Sequence, residues 1–316
     1  MSLYAFLGTL EIGLIYGLVA MGVYLTFRIL DFPDLTVDGS FTLGAAVTAT
    51  LIVTGVNPYL STLFGTLAAA SAGLVTAWLN LRFNILHLLA SILTMTALYT
   101  INLRVMGKPN VALIMEPTVL TPFESLGIPA MYMKVIFVGF CAIIAGLLVA
   151  WFLYTQYGLA MRAVGSNKRM AQANGIVVNE KVYVGLALSN GLVGLAGALF
   201  AQTNGFADST MGIGTIVVGL AAVIIGESLF GSRSLLIIVM SCILGSILYR
   251  LAVSMALNSD FLGFQASDLN LITAVLVTLS LIFPKLRSEW KAKKAKVKGK
   301  EIWSNVKIYM LPLIMV

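Results

Sequence analysis

The amino-acid sequence predicts an all-α polytopic membrane protein of about nine transmembrane helices, with an inverted internal repeat and a broken second helix. Three observations carry this expectation. Of the 316 residues, 59% are hydrophobic and 10% charged, against roughly 45–50% and about 25% in ordinary soluble domains. The apolar residues fall in runs long enough for a hydrocarbon layer of about 30 Å, where backbone amides must be satisfied internally and helices are the economical answer. The chain also matches itself. A soluble globular fold is excluded, because so few polar residues could not cover so apolar a core.

The runs are read between charged breaks and breaks marked by Pro or Gly. The first, residues 3 to 27, lacks the basic start and small-residue cleavage site of a removable signal peptide, so it is expected to be a span. The second, 39 to 56, begins after Asp31, Asp34 and Asp38 crowd into a short stretch with Pro33. The third and fourth cover 59 to 81 and 85 to 103, the fifth 133 to 154 and the sixth 182 to 203. The seventh, 213 to 230, follows Asp208 through a lead-in containing Gly212 and Gly214. The eighth and ninth cover 234 to 253 and 266 to 283.

Net charge is +7, yet the stretch from Lys285 onward holds nine of the twenty Lys and Arg and two of the thirteen acids, leaving eleven of each elsewhere. A basic tail after the last span reads as cytoplasmic, facing anionic lipid rather than nucleic acid. Threading the spans alternately puts Arg28, Arg82, Arg162, Lys168, Arg169, Lys181 and Arg233 on the same side as the tail. Only Arg104, Lys108, Lys134 and Arg250 fall opposite, so the N-terminus is expected outside and the C-terminus in the cytoplasm. The organisation is one membrane domain over 1–284, with an outer loop at 106–132 and an inner loop at 155–181, then a basic tail at 285–316. Pro109, Pro117, Pro122 and Pro129 make the outer loop an irregular, ordered cap. The final IYMLPLIMV is too short to span. Cys141 and Cys242 lie in apolar runs and suggest neither a disulfide framework nor a metal site.

At an offset of 174, residues 14 to 36 align without a gap on 188 to 210, with eight identities in twenty-three pairs. Leu, Gly and Val matches are cheap in this composition; Phe32-x-Asp34-x-Thr36 against Phe206-x-Asp208-x-Thr210 is not. The alternating topology makes the two copies cross in opposite directions. Such inverted repeats bring interrupted helices together near a transporter's substrate path, which nominates Asp34, Thr36, Asp38, Ser40, Asp208 and Thr210. Pro33 removes a donor and Gly39 loosens the chain, so a broken or late-starting helix is expected. The competing reading is an aqueous loop in which Asp34 or Asp38 serves as an N-cap. Glu11 and Glu227 read as satisfied helix-packing or helix-end carboxylates, His87 as an interfacial residue, and Gly13, Gly17, Gly191, Gly194 and Gly197 as sites of close helix approach.

The inner loop carries the sequence YGLAMRAVGSNKRMAQANGIVVNEK over 157–181. Ser166 or Asn167 can cap a short helix from Lys168 to Asn174, and Gly175 is placed to stop it. A short helix between two spans, too small for a domain, suits docking into a groove of a partner. No Gly-x-Ser-x-Gly setting and no G-x-x-x-x-G-K-[ST] phosphate loop occurs, so neither hydrolase chemistry nor ATP hydrolysis by the chain itself is expected.

With this loop, the opening GLIYGLVAMGVYLTFRILDFPDLTVDGSFTLGAA and the run IVVGLAAVIIGESLFGSRS, the chain resembles the permease subunits of bacterial ABC importers, in the branch of branched-chain amino acid and ribose permeases. The likeness covers most of the chain. It implies a broken second helix near the translocation path, carried here by Asp34, Thr36 and Ser40. It implies a coupling helix on the ATPase, carried by Arg162, Gly165, Asn167, Lys168, Ala171 and Gly175, and it places Gly226, Glu227 and Ser228 at the end of the seventh span. Asp38, where the sugar branch has a small residue, and the long outer loop are departures. The DLTVDGSF version looks most like permeases accompanying tryptophan or tyrosine transport systems, and the added negative charge suits a substrate bearing an ammonium group. The partners implied are an ABC ATPase that uses ATP, an extracellular or periplasmic substrate-binding protein and a second permease copy in the bacterial cell membrane, with no cofactor bound directly. The alternatives are a secondary transporter or channel working without an ATPase, and a scaffold or receptor subunit without transport.

Overall fold

The computed structural model of the chain describes residues 3–127, 129–230 and 234–257, with a few helical positions between 271 and 282. It is helical almost throughout. In chain order the helices are α1 (Leu3–Val23), continued by a π-helical turn at Tyr24–Ile29, α2 (Thr36–Val53), α3 (Pro58–Phe83), α4 (His87–Met106), α5 (Ala130–Tyr154), α6 (Gln156–Ser166), α7 (Lys168–Ala173), α8 (Val178–Asn204), α9 (Thr215–Phe230) and α10 (Leu235–Leu257). Strands β1 (Asn110–Ala112) and β2 (Phe206–Asp208) pair antiparallel. Among the described residues seven helices are long and apolar enough to cross a bilayer, while the 16-residue α9 is shorter. The chain is a multi-pass membrane protein. Eight of the nine expected segments coincide with α1 to α5 and α8 to α10; the ninth is described at only a few positions, and the tail 285–316 lies outside the described residues.

Local chemistry sets the ends. Asn57 caps α3, its Oδ1 accepting from Tyr59 N–H at 2.9 Å, with Pro58 at the first helical position where no donor is needed. Asn84, at φ +53°, closes α3, and Gly107, at φ +67°, closes α4. The second helix begins at Thr36, three residues earlier than its apolar run, because Asp34 supplies an acceptor to the Thr36 N–H. The inner loop holds two helices where one was expected. Thr155 caps α6 by accepting from Gly158 N–H at 3.2 Å, and Asn167, in extended conformation, breaks the chain and caps α7 by accepting from Met170 N–H at 3.0 Å.

Helix α8 lies at the centre, with α3, α2 and α1 packed along it; α4 covers α2, α5 covers α1, and α9 and α10 pack on each other and on α1. Small residues make this closeness possible. A Cβ on Gly44 of α2 would overlap the backbone of Gly194 on α8, and one on Gly197 would overlap the Phe41 carbonyl. Gly13 and Gly17 do the same between α1 and α10, facing the Cα atoms of Ile247 and Ile243. The outer loop is ordered by its contacts with the end of α8. Leu113 N–H donates to Gly205 O at 2.7 Å, Val119 N–H to Gln202 Oε1 at 3.1 Å, and β1 lies along β2.

Gly44→Ala is therefore expected to lower the apparent Tm in detergent, since overpacking costs about 1–3 kcal/mol. Gly8→Ala, whose Cβ would meet only Met131 Cε at 3.8 Å, should hold or raise it through helix propensity. Fluorescence-detected thermal unfolding of the two variants checks the contrast.

Candidate functional site

Two helices begin part-way along their neighbours instead of at the end of the bundle. After the π-helical turn, Asp31 adopts φ +51° and the chain runs extended from Phe32 to Leu35 before α2 begins. Leu30 sits against Gly185 of α8. A few residues on, the Asp34 carboxylate accepts from Thr36 N–H at 2.9 Å through Oδ1 and from Asn190 Nδ2 at 2.8 Å through Oδ2. Asn190 Oδ1 accepts from Ser40 Oγ at 2.7 Å, and the Thr36 and Thr76 hydroxyls lie 2.7 Å apart. Asn190 stands near the middle of the 27-residue α8, so α2 starts half-way across the bundle. Asp34, Thr36, Ser40, Thr76 and Asn190 are fully buried. Their polar groups satisfy one another, as burial demands.

The second start mirrors the first in its chemistry. Asp208 Oδ1 accepts from Thr210 N–H at 2.8 Å and from Thr210 Oγ1 at 2.6 Å, the same i to i+2 turn that Asp34 makes with Thr36. The Thr210 hydroxyl and N–H hold the Asp208 carboxyl below the usual carboxylate range, so this turn is intact at neutral pH and loosens as pH falls through that lowered value. The chain then descends to α9, where it meets α2. Asp38 Oδ1 accepts from Thr215 Oγ1 and Ile216 N–H, both at 2.8 Å, and Oδ2 accepts from Gly214 N–H at 2.9 Å. Asp38 thus caps a helix on the far side of the sequence. Thr42 Oγ1 accepts from Gly212 N–H at 3.1 Å, and a Cβ on Gly212 would collide with the Asp38 carbonyl.

Beside this junction lies a cleft of 440 Å³ whose lining includes Asp38, Thr42, Tyr99, Asn102, Ser209 and Ile213. Asn102, 1% exposed, donates from Nδ2 to Gly39 O at 3.3 Å. The sequence-derived site residues therefore divide. Asp34, Thr36 and Ser40 belong to one buried cluster, Asp38 lines the cleft, and Asp208 and Thr210 lie at the end of β2 and in the turn after it. Asn190 and Asn102 were missed. Each is a lone amide inside an apolar run, which is the signal that marks them.

At the opposite end the π-helical turn meets α9 and the inner loop. Arg28 Nε donates to Glu227 Oε1 at 2.9 Å and Oε2 at 3.1 Å, and its Nη2 completes the ion pair. The pair borders a cleft of 580 Å³ with Phe27, Leu220 and Ser228. Of the inner-loop residues, Gly165 rests against the Ile29 carbonyl, where a Cβ would not fit, and Ala171 is buried. Gly175, at φ +79°, turns the chain out of α7. Lys168 Nζ lies 3.2 Å from His87 Nε2, and the His87 ring stacks on Phe32 at 4.3 Å. Arg162 is half-buried on α6, whereas Met170 of α7 is 65% exposed.

The family model described as branched-chain amino acid transport system / permease component matches residues 5–283. The chain belongs to this family. The permease is 39% identical over 287 residues, 90% of its length and 92% of the relative's, to the tyrosine transport system permease protein of Clostridioides difficile. It is 33% identical over 276 residues to an uncharacterized protein of Rickettsia prowazekii, covering 86% of this chain and 95% of that one. A nucleoside ABC transporter permease protein, NupC of Lactococcus lactis, is 32% identical over 216 residues, 60% of the permease and 65% of NupC. Permeases of this family are transporter subunits rather than enzymes.

Removing the Asp38 carboxylate strands three donors at the start of α9. Asp38→Ala is expected to destabilise the permease by about 1–3 kcal/mol, with Asp38→Asn intermediate because its amide keeps one acceptor oxygen. Thermal unfolding of both variants in the same detergent reads the order.

Proposed function

We propose that the permease is the membrane-spanning subunit of an ATP-binding cassette importer that moves an amino acid inward by alternating access. Two copies enclose the path, a separate ATPase supplies the energy, and an extracellular or periplasmic binding protein delivers the solute. The meeting of the α2 and α9 starts at Asp38, midway along α8, is the observation that carries this reading. Interrupted helices placed N-terminus to N-terminus at mid-depth are a recurrent construction of transport sites, and Asp38 satisfies the donors that such a start of α9 exposes.

Family membership over residues 5–283 supports ATPase coupling and import. In this reading residues 155–181 form the coupling region. Arg162, Gly165 and Ala171 seat it on the bundle, where Lys168 also reaches His87, Asn167 and Gly175 shape its ends, and Met170 forms its outward edge. The basic tail 285–316 stays in the cytoplasm and the N-terminus lies outside. The substrate path runs past Asp38, Thr36, Ser40 and Asp34 on one broken helix and Asp208 and Thr210 on the other. The relative named for tyrosine transport makes L-tyrosine the first solute to test.

The test is co-purification of the permease with the ATPase from its native membrane, followed by uptake of radiolabelled L-tyrosine into proteoliposomes. Met170→Glu, on an exposed side chain, is expected to cut ATPase recovery about ten-fold, the effect of losing an apolar contact and adding an unpaired charge at an interface, with the Tm of the permease unchanged. A permease that recovers no ATPase and supports gradient-driven flux by itself would overturn the importer reading.

A further inference from the structure

We infer that the Arg28–Glu227 ion pair is a latch that makes α9 follow the inner loop, so that movement of α6 is transmitted to the far half of the bundle through the π-helical turn. This rests on the importer reading and adds the route by which force crosses the permease. Three contacts, in sequence, define the route. On the loop side, Gly165 of α6 abuts the Ile29 carbonyl so closely that a Cβ would overlap it, and Met161 of the same helix is buried against Gly185 near Leu30. Any displacement of α6 therefore displaces Ile29 and Leu30. Between them and the rest of α1 lies the six-residue π-helical turn Tyr24–Ile29, closed by Leu30 N–H to Leu25 O at 3.1 Å and Phe32 N–H to Thr26 O at 2.9 Å. A wide turn of this kind is a place where a helix changes pitch at little cost, and such turns concentrate at functional sites.

Immediately above the turn α1 is held, because Ser189 Oγ of α8 donates to Gly22 O at 2.7 Å and a Cβ on Gly22 would overlap the Ser189 carbonyl region. Motion is thereby confined to the segment below Gly22. That segment carries Arg28, and Arg28 grips the last turns of α9 through Glu227 with two nitrogens. The bidentate geometry fixes direction as well as distance. Higher on the two helices Val19 and Val23 of α1 pack on Gly219 of α9; at the turn itself, beside a cleft lined by Phe27, Leu220 and Ile224, the ion pair is the polar link between the turn and α9. At its other end α9 begins on Asp38. The path from α6 to the junction of the half-helices is then continuous: Gly165, Ile29, Arg28, Glu227, α9, Asp38.

The experiment uses the permease assembled with its ATPase in lipid nanodiscs, with Cys141 and Cys242 replaced and spin labels at Leu159 on α6 and Leu229 on α9, both exposed. With the latch intact, ATP and vanadate should leave the Leu159–Leu229 distance unchanged, because the two helices move together. In Arg28→Gln, and separately in Glu227→Gln, the distance should change by about 2 Å or more, the scale of helix shifts in such transitions. The exchange Arg28→Glu with Glu227→Arg should restore the unlatched pair to wild-type behaviour. L-Tyrosine transported per ATP hydrolysed should fall about ten-fold in the single variants, within the usual range of coupling factors, and recover in the exchange. Identical distance responses in wild type and both single variants, or an exchange that behaves like the singles, would overturn the latch. A wild-type preparation containing no ATPase would overturn the importer reading itself, and is recognised before any distance is measured.

Discussion

A helix that starts in the middle of a membrane protein leaves its first backbone N–H groups without partners, in surroundings where water cannot supply them. This constraint governs the permease. It is met twice, by carboxylates: Asp34 takes the Thr36 N–H of α2, and Asp38 takes the Gly214 and Ile216 N–H groups at α9. Because Asp38 stands on α2 while the donors lie at α9, the start of α9 is complete only against α2. Two acids that read as isolated costs in an apolar chain become the joint on which two halves of the bundle meet.

The rest of the architecture serves that joint. Asn190 reaches it only because α8 runs close to α2, and α8 runs close because Gly194 and Gly197 leave room for Gly44 and the Phe41 carbonyl. Dispersion and hydrogen bonding, rather than expulsion of water, hold such helices together in lipid, so the same glycines that bring backbones into contact also place the amide within 2.8 Å of the Asp34 carboxylate. At one end of the bundle the β1–β2 ladder and the Ser209 N–H to Pro109 O bond anchor the chain before α9. At the opposite end α6 rests on the π-helical turn, and Arg28 ties that turn to the far end of α9. The half-helix α9 is thus held at both ends by carboxylates, its own Glu227 and the borrowed Asp38.

The two Asp-x-Thr segments both form turns. Asp34 with Thr36 and Asp208 with Thr210 form the same side-chain to backbone bond, at 2.9 and 2.8 Å. Their surroundings differ sharply, however. Asp34 is fully buried and bound to Asn190, whereas Asp208 ends strand β2 with an exposed Thr210 beside it. Similar local chemistry has been put to two uses, and position in the bundle separates them.

Much of the molecule was legible in one dimension. Apolar runs and charged breaks located eight of the helices, because a bilayer accepts little else; Asn167 and Gly175 marked the ends of α7 because capping and left-handed turns depend on side chains a few residues apart. Asp34 was visible for the same local reason. What Asp38 caps, that Arg28 pairs with Glu227 across 199 positions of sequence, and that three-residue strands join the outer loop to the end of α8 were not, since each partner lies on a distant segment and neither member carries a pattern of its own. The sequence by itself determined a membrane-embedded bundle with two interrupted helices, through composition and short-range hydrogen bonding. Only the tertiary structure decided what joins them, Asp38 of α2 on the donors of α9, because that depends on which helices glycine allows to touch.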